Sequence, residues 1–250
     1  MKSLAKVSAQ GKGIGRRTFA RLFTSHALAN KDDMAQIRNS DHLLERIADL
    51  QTELRQSDPS ALAERTGADF LLKEPGTGEF QLRFWHRPVI LTFPSLEARD
   101  LHSGEPLPSG MLALLLYYFS MSDGTPAAGR WISFSELPDG RFYNQAFQGY
   151  TGKALARKFE NNLEAFCDAA KKLGAHRLPE EQGLGDAAFA FQVLPNVSLS
   201  AVYWCGDEDF PASCNILFDA SVSHHLSTDG CAILGSILTQ RLIKVDGVAV

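Results

Sequence analysis

The chain has 250 residues, 44% of them hydrophobic, and its 29 acidic and 25 basic residues give a formal net charge of −4. This length and composition suit one domain with a full core, and the slightly acidic balance excludes a strong basic field for nucleic acid. The longest nearly continuous apolar run, residues 111–119, is far shorter than the roughly 20 residues of a membrane-spanning helix. We therefore expect a soluble protein without a nucleic-acid partner or an integral membrane segment.

Residues 1–38 form a basic lead, which we separate from a single α+β domain at 39–250. The segment 15–21, GRRTFAR, is similar to the core of a twin-arginine export signal, but polar residues at 24–26 interrupt the apolar stretch that such a signal requires. We predict a flexible arm and a cytoplasmic protein, with export as the alternative. The four cysteines form no C-x-x-C pair, and we expect buried thiols in a reducing compartment.

Hydrophobic spacing predicts the elements of the first half of the chain. Apolar residues spaced by three and four predict a helix at 41–54, and Asp58 followed by Pro59 predicts the start of another. Segment 94–108 is polar and contains Pro and Gly, which predicts a loop. The next segment is apolar all round, so we predict a buried helix from Ser109, while a buried strand stays open. The predicted elements are helices at 41–54, 59–66 and 109–119 and strands at 80–84 and 89–93.

The stretch 129–159 is the most strongly patterned part of the chain. We predict a strand, a tight turn at the Pro-Asp-Gly sequence of 138–140, a second extended segment and the start of a long helix. Thr151 is the predicted N-cap of this helix, and Gly174 is its predicted left-handed C-terminal residue. The strand, the turn and the extended segment together form a predicted central hairpin.

The second half of the chain resembles the first half in its order of elements. Strands are predicted at 189–193, 199–204 and 215–218, and a final helix at 228–243. The order strand, turn, strand, Pro-containing loop, apolar helix occurs at 80–119 and again at 189–243, which suggests a degenerate ββα repeat around the central hairpin and long helix. Ordinary α+β architecture gives the same order. Strand pairs this close in sequence are antiparallel, which favours the α+β class.

Aromatic and amide side chains are concentrated in the central stretch. Aromatic walls with a few amide donors are typical of small-molecule pockets, and flat cofactors such as tetrapyrroles stack well on them. An ordinary core whose amides bond loop backbone has the same composition. The candidate cofactor-binding residues are Trp131, Phe142, Tyr143, Gln145, Gln148 and Tyr150.

Thiols, imidazoles and carboxylates are concentrated between residues 205 and 231. Three or four such side chains can hold a transition metal if loops bring them to one ion. The spacings match no standard motif, and the alternative is a solvated acidic turn with cysteines in the core and histidines in a loop. The candidate metal ligands are Cys205, Asp207, Asp209, His224, His225 and Cys231.

Cys231 has a second interpretation as a nucleophile. It lies in the first turn of the last predicted helix, where unpaired N–H groups lower a thiol pKa, and His224 or His225 just upstream is a candidate base. The alternative is a cysteine turned into the core. The sequence identifies no oxyanion donors for such an enzyme.

Several motifs resemble a known family in combination. They are LLYYF (115–119), GRWISF (129–134), LPDG (137–140), FQGYTG (147–152), Gly185-Asp186 and the run 204–225. Over roughly residues 61–244 they are similar to the bacterial and archaeal family called domain of unknown function 3786. The resemblance implies no established activity, but some relatives join this domain to a cysteine-rich iron–sulfur module associated with corrinoid proteins of anaerobic metabolism. This chain lacks clustered cysteines near residue 1, so the resemblance implies an iron–sulfur or corrinoid protein only as a partner.

These observations predict an accessory module that binds a cofactor, or a partner that carries one, through residues 142–150 and the 205–231 segment. Two alternatives stay open. One is a metal- or cysteine-dependent enzyme that uses the 205–231 segment, and the other is an interaction scaffold whose N-terminal arm docks a partner.

Overall fold

The structure, a computed structural model, describes residues 33–179 and 183–246 and contains two antiparallel sheets flanked by helices. The helices are α1 (Asp33–Leu54), α2 (Pro59–Thr66), α3 (Ser109–Met121), α4 (Gly140–Tyr150), α5 (Gly152–Phe159), α6 (Leu163–Lys172) and α7 (Thr228–Asp246). The strands are β1 (Asp69–Glu74), β2 (Thr77–Phe84), β3 (Arg87–Phe93), β4 (Ala98–Asp100), β5 (Trp131–Ser133), β6 (His176–Arg177), β7 (Ala187–Leu194), β8 (Val197–Trp204) and β9 (Ser213–Asp219).

The predicted α+β class with antiparallel strand pairs is confirmed. The first sheet has the order β1-β2-β3-β4 and the second has the order β5-β9-β8-β7-β6. A strand meander followed by an apolar helix therefore occurs twice, as β1 to β4 with α3 and as β6 to β9 with α7. No helix in the described part of the chain has the length and apolar character needed to cross a membrane.

The twin-arginine-like segment and most of the predicted lead lie outside the described residues. Helix α1 begins at Asp33, inside the range assigned to the lead, and continues through the predicted helix at 41–54. Helix α2 is confirmed with its caps, because the Asp58 carboxylate accepts a hydrogen bond from the Ala61 amide at 2.9 Å and Gly67 follows with a φ of 64°. Helix α3 decides the helix-or-strand alternative in favour of the helix.

The segment 94–108 is not entirely a loop. It contains the short strand β4, whose residues pair with β3. The prediction also missed β1, since residues 70–72 are consecutive apolar residues that are half-buried or exposed and show no two-residue alternation. Edge strands of this kind are defined by their pairing to a neighbour, which the local pattern does not contain.

The predicted central hairpin is wrong. Strand β5 is present, but the residues after the 138–140 turn form α4 instead of an extended segment. Tyr143, Phe147 and Tyr150 are spaced by four and three, which is one face of a helix. Phe147 is fully buried and stacks on Phe134 with 4.1 Å between ring centroids, and this packing holds α4 against the second sheet.

The predicted long helix is also corrected, because it is interrupted at 160–162 and forms α5 and α6. Glu160 has a φ of 47°, which no helix interior contains. Thr151 does not act as an N-cap acceptor, since its hydroxyl donates to the Phe147 carbonyl at 2.6 Å. The prediction for Gly174 is confirmed by its φ of 73°.

One cluster of buried hydrophobic side chains extends through both sheets and the helices. The sheets meet where the Trp85 amide donates to the Val193 carbonyl at 2.9 Å. Tyr118 adds a second link, since its hydroxyl donates to the Thr66 carbonyl at 2.6 Å and accepts from the Asn196 amide at 3.2 Å. These bonds connect α2, α3 and the β7–β8 turn.

Two glycine variants test the packing of α5 on β9. A Cβ on Gly152 would lie 2.1 Å from the Cys214 carbonyl oxygen, so Gly152→Ala should lower the free energy of unfolding by about 1–3 kcal/mol in urea denaturation. The control is Gly149→Ala, where nothing lies within 4 Å of the added Cβ and a gain of up to about 1 kcal/mol is expected. Equal effects of the two variants would contradict the described packing.

Candidate functional site

A cleft of about 750 Å³ lies between α5 and the 205–212 loop that joins β8 to β9. Its volume falls in the range of roughly 300–1,000 Å³ that small-molecule sites occupy. One wall of the cleft therefore comes from the 205–231 segment that the sequence singles out, and the other comes from a helix to which the sequence analysis assigned no site. It is lined by Gly149, Lys153, Ala156, Arg157, Glu160, Asn161, Gly206, Asp207, Phe210, Pro211 and Ala212.

Helix α5 supplies one wall of the cleft. Leu155 and Phe159 are buried in the core, whereas Lys153, Ala156 and Arg157 lie on the other side at helical spacing. Neither Lys153 nor Arg157 forms an ion pair with any residue in the described ranges 33–179 and 183–246. This wall thus presents two exposed cations on either side of a small apolar residue.

The 205–212 loop supplies the opposite wall and is held by its own hydrogen bonds. Oδ1 of Asp207 accepts from the amides of Asp209 and Phe210 at 2.9 and 2.8 Å, and the Asp207 amide donates to the Phe210 carbonyl at 2.8 Å. This closed turn presents the Phe210 ring to solvent, and that residue is 71% exposed. The carboxylate of Asp207 therefore stabilises the loop from within.

Asn161 connects the two walls at one end of the cleft. Its Oδ1 accepts from the Gly206 amide at 2.8 Å, and its Nδ2 donates to the Gly206 carbonyl at 3.2 Å. The Tyr203 hydroxyl donates to the Glu160 carbonyl at the same junction. The interruption between α5 and α6 thus positions the side chain and the carbonyl that hold the loop.

Sequence reasoning missed Lys153 and Arg157. The available signal was their i, i+4 spacing on the face opposite Leu155 and Phe159. The prediction of the long helix used only the apolar face, so the charged residues of the opposite face were not considered.

The six predicted cofactor-binding residues do not line this cleft. On α4, Phe142 is 89% exposed and Tyr143 is 39% exposed, and Gln145 also faces solvent. Phe142 borders a separate cavity of about 350 Å³ at the start of α4. The other three are half-buried: Trp131 in β5, Gln148 in α4, and Tyr150 edge-on to Phe147.

The predicted metal site is not formed. Among residues 33–179 and 183–246, no three His, Cys, Asp or Glu side chains come together in a way that could hold an ion. Cys205, Asp207 and Asp209 lie in the cleft loop, His224 and His225 lie in and just after a short 3-10 turn, and Cys231 lies in α7. The two histidines and Cys231 each have other surroundings, described next.

His225 is a buried structural residue. Its Nε2 donates to the Thr125 carbonyl at 2.9 Å, and its Nδ1 shares a hydrogen bond of 2.8 Å with the Ser122 hydroxyl. Burial lowers the pKa of the His225 ring below its usual value. The exposed neighbour His224 contacts the Asp123 carboxylate at 2.8 Å. Both histidines therefore attach the segment after α3 to the segment before α7.

The geometry gives no support to Cys231 as a nucleophile. Its side chain is completely buried, and burial, followed by the charge of Asp229, raises the pKa of the thiol. His225 cannot serve as its base while both ring nitrogens are bonded to the 122–125 segment. The exposed Cys205 is no better activated, because burial and then Asp186 raise the pKa of its thiol.

Asp219, at the end of β9, is a buried carboxylate with a structural role. Its Oδ1 accepts from the Ala128 amide at 2.8 Å and from the amide and hydroxyl of Ser221 at 2.9 and 2.7 Å, and its Oδ2 accepts from the Gly129 amide at 2.8 Å. Burial opposes ionisation, but these hydrogen bonds outweigh it and lower the pKa of the carboxyl. Asp219 thus fixes the chain as it enters β5.

Comparison with known families assigns most of this chain to a family. The profile of the family described as "Domain of unknown function (DUF3786)" matches residues 58–241, so the chain belongs to this family. The matched region includes both sheets and every residue of the cleft. The chain matches no curated protein and no solved structure.

His225 predicts a pH dependence of stability. Because the folded state lowers the pKa of the ring, this stabilisation is complete above the unfolded pKa of about 6.5 and is lost as the pH falls below it. We expect a lower urea midpoint at about pH 5.5 than at about pH 7.5, and His225→Gln should reduce this difference and cost about 1–3 kcal/mol at the higher pH.

The exposed His42 provides the control for this pH experiment. His42→Gln should leave both midpoints unchanged, because the side chain is 62% exposed and contacts only Glu45 among the described ion pairs. If His225→Gln retained the full pH difference, the buried ring would not be its source.

Proposed function

We propose that this domain is a non-catalytic binding module that holds an anionic organic cofactor with a large apolar body, of the tetrapyrrole or corrinoid class. The proposed site is the cleft between α5 and the 205–212 loop. The observation that carries the proposal is the pair of cations on α5, Lys153 and Arg157, which face a mostly apolar cleft and have no ion pair in the part of the chain that the structure describes.

The shape and the walls of the cleft support an organic ligand of this size. Its volume is about 750 Å³, and Ala156, Phe210, Pro211 and Ala212 give it apolar walls. Phe210 is 71% exposed, so a flat ring that stacks on it would bury apolar area that now faces water. The closed Asp207 turn keeps this aromatic side chain at the rim in the absence of a ligand.

The charges support an anionic ligand. Lys153 and Arg157 are neighbours at i, i+4, and guanidinium groups bind carboxylates through paired hydrogen bonds. Peripheral carboxylates of a tetrapyrrole or corrinoid would meet these cations while the ring lies on the apolar wall. Two acidic residues, Glu160 and Asp207, also line the cleft. The Asp207 carboxylate already accepts two backbone hydrogen bonds.

The cleft residues fit the organic part of such a cofactor and offer no set of protein ligands for its metal. The proposal therefore assigns binding and orientation to this chain. A partner that carries the cofactor, of iron–sulfur or corrinoid type, fits the same surface, because Phe210 and the α5 cations lie at its rim. Reduced cysteines at all four positions agree with action in the cytoplasm.

Ligand titration tests the proposal directly. The protein is titrated with protoporphyrin IX and with a corrinoid that has free carboxylates, and binding is followed by absorption. Lys153→Met combined with Arg157→Met should weaken binding about 5- to 30-fold, as expected for the loss of roughly 1–2 kcal/mol from two partly exposed charge pairs. Lys172→Met, at the end of α6 outside the cleft, is the matched control and should leave affinity unchanged.

A second variant tests the contribution of the cleft's shape to binding separately from that of its charges. Ala156→Phe fills the cleft and keeps both cations, so it should also weaken binding while the urea midpoint stays near that of the unmodified protein. Absence of saturable binding to either compound, or equal affinity of the double variant and the control, would overturn the proposal.

A further inference from the structure

Five cationic or titratable side chains converge where the β2–β3 turn meets α7 and the start of β6. We call this group the basic corner: Arg83, His86, Arg87, His176 and Arg241. It belongs to the junction between the two strand meanders and is distinct from the cleft of the proposed function.

The turn at the basic corner has an unusual backbone. Trp85 and His86 are its two residues, with φ values of 53° and 62°. Two-residue hairpin turns of this kind favour Asn and Gly, because bulky side chains are strained at positive φ. Burial and pairing hold the strained pair in place: Trp85 is 4% exposed, and its amide donates to the Val193 carbonyl at 2.9 Å.

Arg241 reaches this turn from α7. Its guanidinium lies over the Trp85 ring, 4.6 Å from the centroid. Burial, followed by the charge of Arg87, lowers the pKa of Arg241. No carboxylate forms an ion pair with Arg241 among the residues that the structure describes, so the half-buried cation rests on an aromatic face alone.

His86 lies at the centre of the basic corner. Its Nε2 is 3.6 Å from the position that a Cβ on Gly174 would occupy. Burial and then the charges of His176, Arg83 and Arg241 lower the pKa of His86. Repulsion between these groups is a cost that a bound anion would remove.

A cavity of about 350 Å³ opens beside His86 and supplies further donors. Its residues are His86, Arg87, Pro88, Asp100, His102 and Ser103. The acid in this set is already engaged: Oδ1 of Asp100 accepts from the amides of His102 and Ser103 at 2.9 and 3.0 Å, and its Oδ2 lies 3.9 Å from Nη1 of Arg87. Asp100 thus orders the turn that bears the donors.

We propose that the basic corner and this cavity form a binding site for a phosphate group. A tetrahedral dianion takes several N–H donors at once, and arginine is the side chain that best matches its oxygens. His86 and Arg87 face the cavity directly, while Arg83, His176 and Arg241 add positive potential from β2, β6 and α7. The strained turn is the element that places His86 and Arg87 side by side.

The site predicts coupled proton uptake. A bound dianion favours protonated His86, so the affinity for glycerol phosphate, a monoester with a second pKa of about 6, should rise as the pH falls from about 8 to about 6.5. The groups that face His86 are Arg83, Arg87, Arg241, His176, His102 and Asp100. Of these, Asp100 alone is acidic.

The experiment is calorimetric titration of the full chain with inorganic phosphate and with glycerol phosphate at about pH 8, where both probes are mainly dianions, and at constant ionic strength. We expect saturable binding with proton uptake, weakened at least about tenfold by Arg241→Met, partly restored in Arg241→Lys, and weakened similarly by His86→Asn. Arg141→Met, an exposed cation at another cavity, is the matched control and should bind normally. Equal affinity for both probes indicates the phosphate group itself as the ligand, and tighter glycerol phosphate indicates a monoester.

His86→Asn also separates a loss of phosphate binding from a loss of folding. Asn tolerates positive φ, so this variant should unfold at a urea concentration no lower than the unmodified protein in phosphate-free buffer. Lack of saturable binding in the unmodified protein, or unchanged affinity in folded His86→Asn and Arg241→Met, would overturn the phosphate site.

Discussion

Helix α5 lies so close to β9 that a Cβ on Gly152 would sit 2.1 Å from the Cys214 carbonyl oxygen. This contact sets the height of α5 above the sheet, and the cleft depends on it. One face of the helix buries Leu155 and Phe159, so the opposite face and its two cations must point outwards over the 205–212 loop. The Asn161 bonds to Gly206 then fix the distance between helix and loop.

A second constraint acts where the two meanders meet. The Trp85 amide bonds to Val193, and the Trp85 ring is buried beneath Arg241, so the β2–β3 turn cannot relax to a more common conformation without opening the junction. The same packing that stabilises the domain thus concentrates positive charge at one corner. Both the cleft and the basic corner are formed by elements that are distant in sequence.

The 205–231 segment shows why proximity along the chain is a weak guide to a metal site. Three of its polar side chains are engaged in local structure: Asp207 closes a loop, Asp219 holds the entry to β5, and His225 joins the ends of α3 and α7. Hydrogen bonds to the backbone consume the lone pairs and protons that a metal or a catalytic thiol would need. The Cys214 and Cys231 thiols are buried, and burial raises the pKa of both, while the exposed Cys205 thiol also has a raised pKa.

Elements with local signals follow from the sequence alone. The α2 caps at Asp58 and Gly67, the left-handed Gly174 and strands β7 to β9 follow from side-chain periodicity and turn chemistry within a few residues. The apolar run of α3 was compatible with a helix or a buried strand, and the structure shows the helix. The family motifs are equally local, and the matched range 58–241 bears them out.

The positions of the candidate sites depend on tertiary contacts. Helix α4 replaced an extended segment because Phe147 is buried on Phe134, and the Lys153 and Arg157 face became a cleft wall because the loop at Phe210 folds over it. No local pattern contains such contacts, since each joins residues that are far apart in the chain and is selected by the free energy of burying the shared core.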